Sequence, residues 1–171
     1  MAKPKQVEQI KKVVIFGNHY KKLVETLTSF SKGSEGILKV DADEFLSSIE
    51  KDYSNYSLDM DFIDSLAPFL KGGMIYIDVY GGNWCSDTRY GMGGLTRVLD
   101  ACGMPAENFR YIRVSKEKKL IDIHVEGIDI PKVPLVIVHN KKMEFGRIIE
   151  VPNKGKWERH LLSIIDKALN H

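Results

Sequence analysis

The chain predicts an α/β fold, a central mixed sheet flanked by helices, on three observations. Residues Met74 to Tyr80 form an apolar run broken only by Asp78, the pattern of a central strand covered on both faces. Further on, Leu95, Val98, Leu99 and Cys102 recur at helical spacing, and Gly103, Met104 and Pro105 close that helix. Nearer the C-terminus, Leu135 to Val138 and Phe145 to Ile149 read as two strands joined by the polar stretch His139 to Lys142, which suggests an antiparallel hairpin.

Taken in order, Gly17 reads as a break and Asn18 as the cap of a helix through about Phe30, with Tyr20, Leu23, Val24, Leu27 and Phe30 on one face. Residues 31–36 form a loop by composition. Ile37 to Val40 is a short candidate strand, and Asp41 with Glu44 opens a helix through Phe45, Leu46 and Ile49 in the manner of a capping box. Tyr53 to Ser57 reads as a turn, Ser57 as the cap of a helix over Leu58 to Leu70, and Gly72 and Gly73 as its end. Pro68 falls inside the last turn of that helix. After the strand at Met74, Asp87 to Cys102 is a helix, Phe109 to Val114 a strand and Lys116 to His124 a short helix. Pro131 to Pro134 is a rigid turn, and Trp157 to Leu169 a final amphipathic helix.

The 171 residues suffice for one domain with a proper core and an extension, not for two comfortable domains. Hydrophobic content of 43% and charged content of 28% are those of a globular protein. Lys and Arg (25) nearly balance Asp and Glu (23), so the net charge of +2 gives no nucleic-acid footprint. The apolar run Val13 to Phe16 is shorter than the ~7–15 residues of a signal-peptide core. No stretch approaches the ~18 apolar residues of a membrane span. The expectation is a cytoplasmic protein that binds neither nucleic acid nor membrane, with both cysteines resting as thiols.

The chemistry-bearing stretch is Met74 to Leu95. Between its strand and its helix stand Trp84 and Cys85. A thiol at a helix N-terminus faces unpaired N–H groups and the positive end of the helix dipole, and both favour the thiolate, the nucleophilic form. Thr88, one turn on, can direct its hydroxyl at the sulfur, while the charge of Asp87 opposes the thiolate. Cys102 lies at the far end of the same helix, roughly 25 Å away at ~1.5 Å per residue. A disulfide needs Cα atoms within ~7 Å, so Cys102 reads as a buried apolar residue. The five histidines, His139 among them, make no pair at metal-ligand spacing. Gly91, Gly93 and Gly94 lack the spacing of a phosphate loop and read as softening the helix.

From residue 74 onward, the order strand, helix, strand, short helix, strand, strand, helix resembles the thioredoxin core, and so do the residues. The family places Trp and C-x-x-C at the start of a helix; here Trp84, Cys85, Ser86, Asp87 and Thr88 stand there, with Thr88 where the second cysteine would be. The family's cis proline beside the nucleophile is matched by Val133 and Pro134. Its buried acid is matched by Asp78, one residue further from Cys85 than the pattern asks. Gly93 and Gly94 could supply the helix kink common in the family.

The resemblance implies a thioredoxin-like domain over residues 57–171 and a mainly helical N-terminal extension, 1–56, packed on the core. It also implies Cys85 as nucleophile and Trp84, Val133 and Pro134 as a substrate surface. Asp78 reads either as a proton acceptor for the leaving thiol or as an acid hydrogen-bonded at a strand edge. Without a resolving thiol at Thr88, the second step of exchange must come from outside. The expected function is thus monothiol thiol-disulfide exchange on a protein or small-molecule disulfide or a glutathionylated substrate, with glutathione as possible co-substrate and no bound cofactor or metal. The alternative is an inactive thioredoxin-fold binding module. A peroxidase is disfavoured, because the loop that peroxiredoxins place before their cysteine is absent.

Overall fold

Alternation in four short strands builds the sheet. In β1 (Tyr76–Gly81), Ile77 and Val79 enter a large apolar cluster, while Tyr80 enters a smaller one on the opposite face. The same split runs through β2 (Phe109–Arg113), where Phe109 and Tyr111 face one cluster and Ile112 the other. It continues in β3 (Leu135–His139), with Val136 and Val138 opposed to Leu135 and Ile137. β4 (Glu144–Ile149) completes a mixed sheet in the order β2-β1-β3-β4. β1 and β2 are parallel, and β1 with β3 and β3 with β4 antiparallel. The computed structural model describes residues 15–29, 38–82, 84–117, 120, 127–152 and 156–170, without the side chains of residues 28, 29 and 38–43.

Five α-helices occur among the described residues: α1 (Asn18–Ser29), α2 (Leu38–Asn55), α3 (Met60–Lys71), α4 (Ser86–Cys102) and α5 (Trp157–Leu169). Leu23 and Leu27 of α1, Phe45 and Ile49 of α2, and Ile63, Leu66 and Leu70 of α3 belong to the large cluster together with Leu95, Leu99 and Leu161. The N-terminal helices therefore share the sheet's principal core. No helix among the described residues is long and apolar enough to cross a membrane.

Several boundaries differ from the sequence reading. Of the strand expected over 37–40, residues 38–40 are the first turn of α2 and Ile37 lies outside the described residues, so Asp41 and Glu44 lie within that helix instead of opening it. A short apolar run cannot be told from a helix turn by periodicity. The turn expected at Tyr53 to Ser57 begins later, because α2 continues through Asn55. Buried Tyr53 packs near Phe16 and Tyr20 and donates from Oη to Asp100 Oδ2 at 2.9 Å. The cap of α3 is Asp59, not Ser57.

Asn18 does not cap α1: Gly17 C=O accepts the first helical bond from Lys21 N–H. The unpaired N–H groups of His19 and Tyr20 go to the Asp100 carboxylate of α4 at 2.7 and 3.4 Å. A tertiary contact thus does what a local cap usually does. Buried Glu158 of α5 serves α3 similarly, accepting Asp59 N–H and Tyr56 Oη–H at 2.7 Å each. The loop expected over 31–36 and most of the helix expected over 116–124 lie outside the described residues. Of the latter, Lys116 and Glu117 form a turn, and Leu120 makes an isolated antiparallel bridge with Val114.

The glycines of α4, expected to soften the helix, have a packing reason. α4 is continuous from Ser86 to Cys102. A Cβ on Gly93 would fall 2.5 Å from Tyr53 N and also against Ile49 O, both backbone atoms of α2, so the two helices meet at glycine. Gly94 N–H donates to Asp52 Oδ2 of α2 at the same crossing. The helix ends at Gly103, whose left-handed φ of 67° suits glycine.

Candidate functional site

A tight turn delivers Cys85 to the N-cap of α4. Its N–H donates to Gly82 O at 2.9 Å, its C=O accepts from Arg89 N–H at 3.2 Å, and its backbone is extended. It therefore sits beside the first-turn amides of α4, which have no intrahelical acceptor. In the described conformer the sulfur does not face them. Sγ donates to Val133 O at 3.6 Å, an interaction of the protonated thiol.

The Val133–Pro134 peptide is cis, and Pro134 O accepts from Glu150 N–H at 2.8 Å, which ties this turn to the end of β4. Cys85 is half-buried against the smaller cluster, which includes Val114, Ile130 and Val133. Trp84 is 38% exposed, and its Nε1–H donates to Val114 O at 3.0 Å, fastening the indole to the residue after β2. Cys85, Trp84, Val133 and Pro134 are thus assembled at one end of the sheet.

Thr88 is fully buried. Among the described residues its Oγ1 has no hydrogen-bond partner, Cys85 Sγ included. Its Cγ2 packs near Gly81 of β1, where an added Cβ would come within 2.8 Å. The hydroxyl therefore does not steady the sulfur in this conformer, although Thr88 does stand one helical turn after Cys85.

Asp78 belongs elsewhere. It is the register partner of Arg110 across β1 and β2, and its carboxylate takes Arg110 Nε–H and Nη2–H at 2.8 Å each and His139 Nε2 at 2.8 Å. Burial alone would raise this carboxyl, but the Arg110 fork and His139 outweigh it and hold it below the ordinary carboxylate range. A lowered acid held by two partners is the hydrogen-bonded reading of Asp78, not the raised proton acceptor. Arg110 carried no signal in the sequence, because the pairing needs the β1–β2 register. His139, the last residue of β3, is its second partner.

Cys102 is buried, and burial, with the Glu158 charge, pushes its thiol up to about 12. A thiol so raised is a poor nucleophile. Among the described residues no group of three or more His, Cys, Asp or Glu could hold a metal ion. No protein-family model, no curated protein and no solved structure matches this chain. What the chain can do has to follow from the site itself.

Proposed function

We propose that the chain is a thioredoxin-like protein that performs monothiol disulfide exchange through Cys85, with residues 57–171 as the reactive domain and 1–56 as a helical extension. The observation that carries this reading is the meeting of a helix-capping cysteine with the carbonyl before a cis proline, Sγ to Val133 O at 3.6 Å. The sheet order and the half-buried sulfur add support.

Rotation about the Cys85 side chain would turn the sulfur from Val133 O toward the α4 amides, which favour the thiolate. That thiolate attacks one sulfur of a mixed disulfide between substrate and glutathione. The S–S bond breaks, the substrate leaves as its thiolate, and Cys85 is left glutathionylated. A second glutathione thiolate then attacks the glutathione sulfur on Cys85, releasing oxidised glutathione and restoring the thiolate. Trp84 offers an apolar wall for the substrate, and the Val133 backbone a short edge for an extended segment. Protein and small-molecule disulfides are both admissible substrates, and a reducing compartment such as the cytoplasm supplies the resolving thiol.

The test is turnover of a glutathionylated peptide with excess glutathione. Activity should vanish in Cys85→Ser and persist in Cys102→Ser; equal rates in wild type and Cys85→Ser would refute it. One observation favours the alternative, a thioredoxin-fold binding module without turnover: the sulfur is held by a carbonyl and not by helix amides.

A further inference from the structure

At the end of the sheet where β1 begins and β3 finishes, a second arrangement of charge stands apart from Cys85. The Asp78 side chain is 8% exposed, whereas those of the two partners it holds, Arg110 and His139, are 54% and 25% exposed. The carboxylate lies beneath and its partners lie outward. His139 is braced from both sides, since Nδ1 is 2.9 Å from Asn140 O and Nε2 2.8 Å from Asp78 Oδ2. An apolar group of similar volume would hold this sheet end as well. What the polar arrangement adds is two heads fixed at a surface.

The turn after β3 brings positive charge to the same place. Asn140 Oδ1 accepts the N–H groups of Lys142 and Met143 at 2.8 Å each, which fixes the turn. Lys141 and Lys142 thereby line a hollow of about 450 Å³ that Asp78, Arg110 and His139 also line. Among the described residues neither lysine ammonium is paired with a carboxylate. Arg147 and Glu144 close the rim as a mutual pair, at 2.6 Å. Among the described residues that line the hollow, cations therefore outnumber carboxylates.

The chemistry of a fitting ligand follows from what these groups have left to offer. Arg110 has spent Nε–H and one Nη2–H on Asp78, so its side-on fork is taken and its end-on Nη1/Nη2 edge is left. What remains is one guanidinium edge and two compact lysine charges. Lysine ammonium groups bind phosphate oxygens as point charges, and spaced cations favour an anion with more than one charge.

We propose that this hollow binds the diphosphate or bisphosphate group of a ligand, with Arg110, Lys141 and Lys142 contacting its oxygens and Asp78 and His139 as positioning residues. The site lies outside the thiol chemistry, so its failure would leave the reading of Cys85 standing.

The probe is inorganic pyrophosphate, titrated into the full chain at constant ionic strength and followed by backbone amide NMR shifts and calorimetry. Saturable shifts are expected at Arg110, His139, Lys141 and Lys142. The exposed double variant Lys141→Ala/Lys142→Ala should bind at least tenfold more weakly with an unchanged thermal midpoint. Arg110→Gln should weaken binding as well, with Cys85 alkylation unaltered. Absence of saturable shifts, or undiminished binding by the double variant, would overturn the proposal. Phosphatidylcholine vesicles with and without a phosphoinositide distinguish the source. Sedimentation with the phosphoinositide vesicles that pyrophosphate reverses assigns a lipid headgroup; pyrophosphate binding without sedimentation assigns a free metabolite.

Discussion

The two faces of the sheet use polar groups in opposite ways. On the face carrying Ile77 and Val79, buried or half-buried acids hold helices together: Asp100 takes the first amides of α1, Glu158 the amide of Asp59 at the cap of α3, and Asp52 meets Gly94 on α4. On the face carrying Asp78 and Tyr80, Cys85 and Trp84 stand partly open at one end, and Arg110 with His139 at the other. The first face ties its polar groups to backbone amides, which fixes structure and leaves little to react. The second leaves Cys85, Trp84, Arg110 and His139 partly open to solvent. Substitutions on the first should therefore be read in stability, and those on the second in chemistry, except at buried Asp78, whose loss is also read in stability.

The sharpest break between the faces is Gly93→Ala. Its methyl would strike α2 backbone that cannot step aside, and overpacking of this kind costs up to about 3 kcal/mol. Urea unfolding should register that loss, while Cys85 in the remaining native protein alkylates at the wild-type rate. A matching loss of Cys85 reactivity would mean that the faces are not independent.

Asp78→Asn should cost about 2 kcal/mol near neutral pH, because it leaves Arg110 and His139 facing an amide. The folded Asp78 carboxyl lies below its ordinary value. Its stabilising contribution is therefore present above the unfolded carboxylate range near pH ~3.9 and is lost as pH falls through the lower folded value. The gap between wild type and variant should close in acid, as thermal unfolding against pH would register.

Asp52→Asn has the reverse sign. Burial raises the folded Asp52 carboxyl to about 6, and the Gly94 N–H offsets this only in part. The contribution of Asp52 is full below the unfolded carboxylate range and is lost as pH rises through about 6. The amide keeps an acceptor for Gly94 and sheds the buried charge, so the variant should gain about 1–2 kcal/mol above pH ~7 and nothing below pH ~4. A variant less stable than wild type at high pH would contradict this.

Thr88→Cys should change stability least, within about 1 kcal/mol in reduced protein, and chemistry most visibly. Residues three apart on a helix stand within disulfide reach. Oxidation by an added disulfide such as oxidised glutathione should therefore bond Cys85 to the thiol introduced by Thr88→Cys, detectable as a loss of two hydrogen atoms by mass and of free thiol. Failure to form that bond would mean that the Cys85 sulfur cannot turn from Val133 toward the helix.

Much of this was legible in the sequence where a signal was local. The run from Met74 to Tyr80, the hairpin around His139 to Lys142 and the helix from Trp157 could be read from periodicity. Trp84 and Cys85 could be placed at a helix start for the same reason. Contacts between distant residues could not be read. Asp100 replaces Asn18 as the cap of α1, α2 explains Gly93, and Arg110 claims Asp78 only once the β1–β2 register is fixed. The cis bond at Pro134 had no compositional signal, since only ~5–6% of X–Pro bonds in folded proteins are cis, and it came into view through the resemblance alone.

The central claim, that Cys85 is a reactive nucleophile while Cys102 is a structural thiol, is most directly tested by alkylating the native chain with iodoacetamide at neutral pH and mapping the labelled peptides. Cys85 should label several-fold faster than a cysteine in an unstructured peptide, with Cys102 unlabelled until the protein unfolds. Labelling of Cys85 no faster than that peptide, or of Cys102 at an equal rate, would contradict the account.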